Sequence, residues 1–371
     1  MGLIRSMRGR KAESAPPVAA ASGTSTGLPS SASRVDAEQQ RLRKLQADTR
    51  AHGLHDPRTL ESRALWAHSL LGLNRLEECE AEIREVVRLC ARPPVGPEHK
   101  LTASARIILV TLLQMAGRFP EAEAEARDLV AVRAALPNDR PRLVASSMAA
   151  LAANSQGRHT EAVAEYDSLL PDFVSSYGAE HLLTLKMRSD RAQILGYLGR
   201  HEETEAECLA IAGIADRIEG ASALLLQLAA RNGLAHARSR LGRHVEAETV
   251  AREAIDRDAQ TSGPDNKLAV VLRITLLRSL NGQGRYDEAL AEARAARAAH
   301  LRTPGGRHDE AGAIEIGTAT ALAGLGRGEE AEAEARRALA ACESALGTGH
   351  HRTQEAQALL TTIERKNRTS E

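Results

Sequence analysis

One six-residue string recurs along the chain at nearly constant spacing. It reads NRLEEC at 74–79, GRFPEA at 117–122, GRHTEA at 157–162, GRHEET at 199–204, GRHVEA at 242–247, GRYDEA at 284–289 and GRGEEA at 326–331. The first residues are separated by 43, 40, 42, 43, 42 and 42 positions. A fixed period of this size marks a solenoid, in which each unit packs on its neighbours and no single core has to grow with chain length. That overrides the two or three globular domains which 371 residues would otherwise suggest.

Each period reads as two helices around the repeated turn. In the fourth unit, Leu185, Ala192, Leu195 and Leu198 keep helical spacing over roughly 180–198, and a second helix spans roughly 202–218. Gly199 ends the first, because a residue without Cβ enters the left-handed region at the C′ position. Glu202, Glu203 and Glu205 then suit the positive end of the next helix dipole. A link this short makes the pair antiparallel. Twenty-one residues before the turn lie Gly53, Gly96, Gly178, Gly263 and Gly305, with Pro137 and Gly220 as breaks in the other two long units. Gly347 holds the same place after the seventh pair, and a last helix is expected over roughly 351–365.

The expected organisation follows. Residues 1–33, rich in Ala, Ser and Pro with a basic tip, form a disordered tail, because they bury too little apolar surface to offset ordering entropy. Residues 34–52 form a capping helix with Asp36 as its cap, residues 53–345 the seven repeats, and residues 346–371 a C-terminal capping helix and tail. The fold expected is all-α: a right-handed superhelix of seven helix pairs, about sixteen helices in all.

Composition then excludes several function classes. Lys plus Arg equals Asp plus Glu, 49 each, which argues against nucleic acid as a partner, since that needs a basic excess. Aromatic residues make up 2 %, too few for base stacking on single strands. No apolar run approaches the ~18 residues needed to span a membrane, so a cytoplasmic protein is expected. The cysteines, Cys79, Cys90, Cys208 and Cys342, form no C-x-x-C pair and read as buried reduced thiols.

The pattern L-x-x-L-G-R-x-x-E-A-E after H-x-P-x-T-L-x-x-R resembles the tetratricopeptide repeat. Residues 55–78 and 177–207 carry it best. The period, longer than the usual 34, is similar to the kinesin-light-chain-like branch that is common in bacterial proteins. The resemblance covers roughly 53–345 and implies a protein-interaction scaffold. It departs from the branch in two ways: the asparagine expected nine or ten residues before the turn survives only as Asn232, and the light chain's coiled-coil segment is absent, so no motor partner is implied.

If that geometry holds, the inner helices line a concave groove with His68, Gln114, Asn154, Gln193, Tyr197, Asn232, His236, Arg278 and Asn281, beside Ile107, Met115 and Ile274. Amides would satisfy the main chain of a bound peptide or helix while the apolar residues form pockets. Asn232, Arg278 and Asn281 could clamp a C-terminal carboxylate. Eleven residues before the turn stand Arg63, Arg106, Arg188, Arg231 and Arg273, with Ser146 and Glu315 in the other two units. These are expected to pair with the glutamate four after the turn (Glu78, Glu121, Glu161, Glu203, Glu246, Glu288 and Glu330), because a rigid guanidinium suits half-buried carboxylates.

No catalytic or metal constellation emerges, and no cofactor is expected. HEETE at 201–205 lacks the second histidine of H-E-x-x-H, and the glycine-rich strings at 281–286 and 324–328 follow no strand. The expected function is therefore a non-catalytic scaffold or adaptor that binds a protein or peptide partner in the groove. The alternative is a peptide- or metabolite-sensing regulator acting through a partner. A homodimer is compatible with the thinly polar end helices.

Overall fold

The computed structural model describes residues 31–136, 139–261, 267–302 and 310–370. Within them the chain forms sixteen α-helices and no strand. A leading helix, α1 (Ser31–His52), is followed by pairs α2 (Pro57–Gly72) with α3 (Leu76–Cys90), α4 (Lys100–Met115) with α5 (Phe119–Val132), and α6 (Arg140–Ser155) with α7 (His159–Tyr177). Next come α8 (Leu182–Tyr197) with α9 (His201–Ala215), α10 (Ala221–Arg240) with α11 (His244–Thr261), and α12 (Lys267–Gly282) with α13 (Tyr286–Arg302). The last pair is α14 (Ala313–Gly324) with α15 (Gly328–Leu346), and α16 (His351–Ser370) closes the stack unpaired. The expected tail over 1–30 and the breaks at Pro137, Gly263 and Gly305 lie outside the described residues.

Each helix packs on the next in the chain. The even-numbered helices also touch one another in series from α2 to α16, whereas the odd-numbered ones show no comparable contact. A stack with one row closer together curves toward that row, so the even-numbered helices form the concave wall.

The repeated turn sets this geometry. Its first residue is left-handed in all seven units: φ is 56° at Asn74 and 72–83° at the six glycines. The next residue, always arginine, sends its N–H back to the carbonyl five residues earlier, as Arg118 does to Leu113 at 2.9 Å and Arg200 to Leu195 at 3.0 Å. This is the Schellman closure, which ties up carbonyls that the helix end would leave bare. Five residues after the glycine, Ala122, Ala162, Ala247, Ala289 and Ala331 are fully buried.

The arginine of each turn has a second use. Its guanidinium grips the glutamate three residues ahead, from Arg75–Glu78 to Arg327–Glu330, at 2.6–2.9 Å. In five turns it also reaches the preceding unit: Arg75 to Glu38, Arg118 to Glu80, Arg158 to Glu123, Arg243 to Glu205 and Arg285 to Glu248. The acceptor lies six residues after the previous turn. Val163 and Leu290 occupy that place before Arg200 and Arg327, so those two arginines keep only the local grip.

The second arginine series pairs differently from the sequence-based expectation. Arg63, Arg106, Arg188 and Arg273 bond to Glu82, Glu125, Glu207 and Glu292, eight residues after the turn instead of four. The glutamate at four is already held by the turn arginine. Where Val250 stands at eight, Arg231 turns to Asp216 at 2.7 Å. Where Glu315 replaces the arginine, Arg297 bridges it to Glu334 at 3.4 and 3.6 Å.

Two terminal expectations are also corrected. Helix α1 starts at Ser31, which leaves Asp36 exposed inside it and not at its cap. Helix α1 packs on α2 as the second helix of a pair packs on the next unit, with Glu38 accepting from Arg75 and from Trp66 Nε1. Helix α16 runs on to Ser370, and its Asn367 donates to Glu332 at 2.9 Å across the final seam.

Two substitutions test this account. Ala247→Leu should overpack the hairpin and lower unfolding stability by ~1–3 kcal/mol, measured by urea titration. Glu205, 13 % exposed, accepts from both Arg238 and Arg243. Glu205→Gln should cost ~1–3 kcal/mol, and more than Glu203→Gln, whose carboxylate is 53 % exposed and held by Arg200.

Candidate functional site

The concave wall carries a pocket of about 460 Å³ between α10, α12, α14 and the start of α16. Ile274, Leu277, Ala313 and Ile316 supply its apolar side, and His201, Arg240, His244, Arg278, Asn281, Thr320 and Glu355 its polar side. Gly282 opens one edge, since a Cβ there would meet the His244 ring, and Gly317 opens another, against Leu277.

The polar groups are fixed by specific partners. Arg278 Nη1 lies 2.8 Å from His236 Nε2. Guanidinium only donates, so Nε2 accepts and the His236 proton sits on Nδ1. Arg278 Nη2 and Arg240 Nη1 stand 3.6 and 4.0 Å from the same oxygen of Glu355. Asn281 Nδ2 donates to the Gly317 carbonyl at 2.8 Å, while its buried Oδ1 has no partner. The buried Nδ1 of His201, also on the wall, has none either.

Beside the pocket, side chains distant in sequence close across the groove. Tyr197 packs on His351 at 4.9 Å and on His159 at 5.2 Å, and His350 packs on His351 at 4.2 Å. Gln193 Nε2 donates to Tyr197 Oη at 3.0 Å. His350 also caps α16, its Nδ1 accepting the Arg352 N–H at 3.1 Å, as His99 and His181 cap α4 and α8. The first two turns of α16 thus meet units three to six.

Several groove residues expected to face a ligand are bonded within the protein, most of them across the seams between units. Gln114 donates to the Met148 carbonyl at 3.0 Å, the same inter-unit bond that Asn281 makes. Asn154 Oδ1 accepts from His159 Nδ1 at 2.7 Å, and Asn232 Oδ1 from Thr275 Oγ1 at 2.7 Å. Arg278 and Asn281 line the pocket, but Asn232 is turned to Thr275, so the three do not converge as a clamp. Half-buried His68, on α2, stands apart from the pocket. Met115 on the inner wall is 39 % exposed.

His159, His201, His244, His350, His351, Arg240 and Glu355 were not among the sequence-based candidates. The first three share a legible signal, a histidine two residues after the turn in three successive units. Glu355 carries none, because only the curvature of the stack brings it to Arg278.

The four cysteines are buried and free, and burial pushes the Cys79 and Cys208 thiols up to about 12. No group of three or more His, Cys, Asp or Glu among the described residues is placed to hold a metal ion. None of the described helices is long and apolar enough to cross a membrane.

The histidines give a testable pH dependence. Burial, reinforced by neighbouring cations, pushes His236 and His351 down to about 3 and His350 to about 4. Above the ordinary imidazole value all three are neutral in both states and impose no penalty. As pH falls below ~6.5, the unfolded chain takes up protons that the folded chain refuses, so stability declines. Tm should therefore drop between pH 6.5 and 5, before most carboxylates titrate. His351→Phe, which keeps the ring packing, should flatten that slope.

The class defined by these features is a helical-repeat solenoid with an inner groove. A tetratricopeptide-repeat family model matches residues 319–352, from the end of α14 through α15 into α16. Among solved structures, a Rap protein complexed with competence and sporulation factor aligns at 15 % identity, covering 90 % of this chain and 97 % of that one, with a TM-score of 0.59. A tetratricopeptide repeat protein from Parabacteroides merdae aligns at 13 % identity, over 89 % and 99 %, with a TM-score of 0.50. A kinesin-light-chain-like repeat structure from Podosopora anserina is 21 % identical over 54 % of this chain and 95 % of its own, with a TM-score of 0.43. No curated protein sequence matches. The fold is a tetratricopeptide-repeat solenoid.

Proposed function

We propose that this chain is a non-catalytic interaction scaffold that holds a short segment of a protein or peptide partner on its concave wall. The observation that carries the reading is the pocket between α10 and α14. It offers aliphatic side chains beside fixed polar groups, the combination that gives a concave site both affinity and orientation. The Rap structure, solved with competence and sporulation factor, offers a precedent for a complex on this fold. Side chains from α16 cross the groove near units three to six, so the segment held there is short and does not thread the whole superhelix. A volume of about 460 Å³ also suits a small ligand, which keeps a sensing role, relayed through a partner, as the second reading.

A steric block tests both. Thr320 is half-buried on the pocket wall, and Thr320→Trp fills the space without adding charge. Affinity capture from native lysate should recover one protein with wild type and with the outer-face control Leu209→Ala, and at least tenfold less with Thr320→Trp. Equal capture by a folded Thr320→Trp, with unchanged Tm, would move the site off this wall. In the sensing case, a metabolite or peptide pool should raise the Tm of wild type but not of Thr320→Trp.

A further inference from the structure

The start of α16 meets the opposite side of the groove through rings. Tyr197, at the end of α8, lies 4.9 Å from the His351 ring, and His159, at the start of α7, approaches it edge-on at 6.0 Å. His159 and Tyr197 pack on each other at 5.2 Å, and His350 packs on His351 at 4.2 Å. Four rings from three parts of the chain thus form one cluster. The bridge is thin. The backbone neighbours of α16 in the stack are α15 and α14, whereas α7 and α8 are reached by side chains. The other link across, from Glu355 to Arg278 and Arg240, stands at 3.6 and 4.0 Å, beyond hydrogen-bond reach. Parting the rings therefore leaves the helix pairs and their turns in place.

Both imidazoles at the start of α16 are placed where a proton is unwelcome. His350 Nδ1 accepts the Arg352 N–H at 3.1 Å and so caps the helix. The neutral ring carries its proton on Nε2, and a second proton has to enter at Nδ1, where it opposes that N–H. His351 Nδ1 is buried with no hydrogen-bond partner, and a charged ring there keeps a buried N–H unmatched. The charges that weigh most on His351 are cations: His350 and Arg352 beside it, His159 from α7 and Arg278 from α12. From α8 it meets Tyr197. Glu355, one turn along α16, is shared between Arg278 and the Arg240 of α10. Glu315 of α14 and Glu343 of α15 act on Cys342, behind the helix start. Burial and the neighbouring cations push His351 down to about 3 and His350 to about 4. With the rings parted, both return to water and to the ordinary value near ~6.5. At neutral pH the rings are uncharged either way, and protons favour neither arrangement. As pH falls through ~6.5, only the parted arrangement takes up protons, so the balance moves toward it. At pH 5 the shift is about thirtyfold for each histidine.

We propose that this ring cluster is a proton-operated latch: with its imidazoles neutral it holds the start of α16 against α7 and α8 and divides the groove, and protonation of His350 and His351 parts the rings and leaves the inner wall continuous while the helix pairs stay folded. Tyr197 is the fixed side of the latch, its hydroxyl held by Gln193 at 3.0 Å. The moving side is the first two turns of α16. The device is built into the stack and does not depend on what the groove holds. It makes the length of groove open to a partner a function of acidity.

The test compares the full chain with two variants at about pH 7.5 and about pH 5, on either side of the ordinary imidazole value. Hydrogen exchange, corrected for its intrinsic dependence on pH, is read over residues 352–358. Residues 101–105 are the internal reference, because His99 caps that helix in the same way but outside this cluster. In wild type, exchange over 352–358 should quicken about tenfold or more relative to the reference on acidification. Small-angle X-ray scattering should show a larger radius of gyration, and circular dichroism unchanged helicity. His350→Asn combined with His351→Phe keeps a capping side chain and the ring packing but takes up no proton, and should show neither change. Tyr197→Ala removes the fixed ring and should exchange fast over 352–358 already at pH 7.5, with little further response to acid. Equal quickening of both segments in wild type, or none, would overturn the proposal. So would an unchanged radius of gyration, a loss of helicity, or the same acid response in the double variant as in wild type. If the double variant does not fold, Tyr197→Ala is the deciding protein: slow exchange at pH 7.5 or an undiminished acid response overturns the latch.

Discussion

Everything in this molecule depends on a glycine–arginine turn. The left-handed glycine stops one helix and the arginine N–H closes it. The same arginine side chain then fastens the next helix and, in five turns of seven, the unit before. One dipeptide therefore fixes the angle within a hairpin and the register between hairpins. Because these contacts are exposed or half-exposed, each contributes modestly. The buried alanines that follow, with no side chain to hold the helices apart, contribute the packing that keeps the angle constant.

The curvature that results decides what the inner wall can do. The even-numbered helices stand close enough that glutamine and asparagine side chains reach carbonyls in the next unit, as Gln114 and Asn281 do. Their N–H donors are spent on the seams, while the Asn281 Oδ1 at the pocket keeps no partner. Polar recognition passes instead to groups at the helix ends, where Arg240, Arg278, His201 and Glu355 converge. The stack bends enough for the first two turns of α16 to meet α8, α10 and α12, so the groove is interrupted by the chain's own last helix.

The period, the helix pairs, the left-handed turns and the buried alanines were all legible in the chain, because each is a local preference repeated seven times. Repetition averages out the exceptions, so Asn74 in place of glycine or Thr204 in place of alanine leaves the pattern intact. The arginine series was legible as a series but not as pairs. Helical spacing puts Arg63 on a packed face, yet choosing between Glu78 and Glu82 requires knowing that Arg75 already holds the first. The same limit applied to the groove. Offsets placed Arg278 and Asn281 on the inner wall, but not the partners that orient them.

What the sequence determined by itself is the unit: two helices, the turn between them, and the face each buries, all set by backbone preferences and side-chain volume within some forty residues. What only the tertiary structure decided is the pocket. Glu355 and Arg278 lie in different units, and no local preference relates them. They meet because a small, constant rotation per unit accumulates along the stack, and an accumulated angle is a property of the packed helices and not of any one stretch of chain.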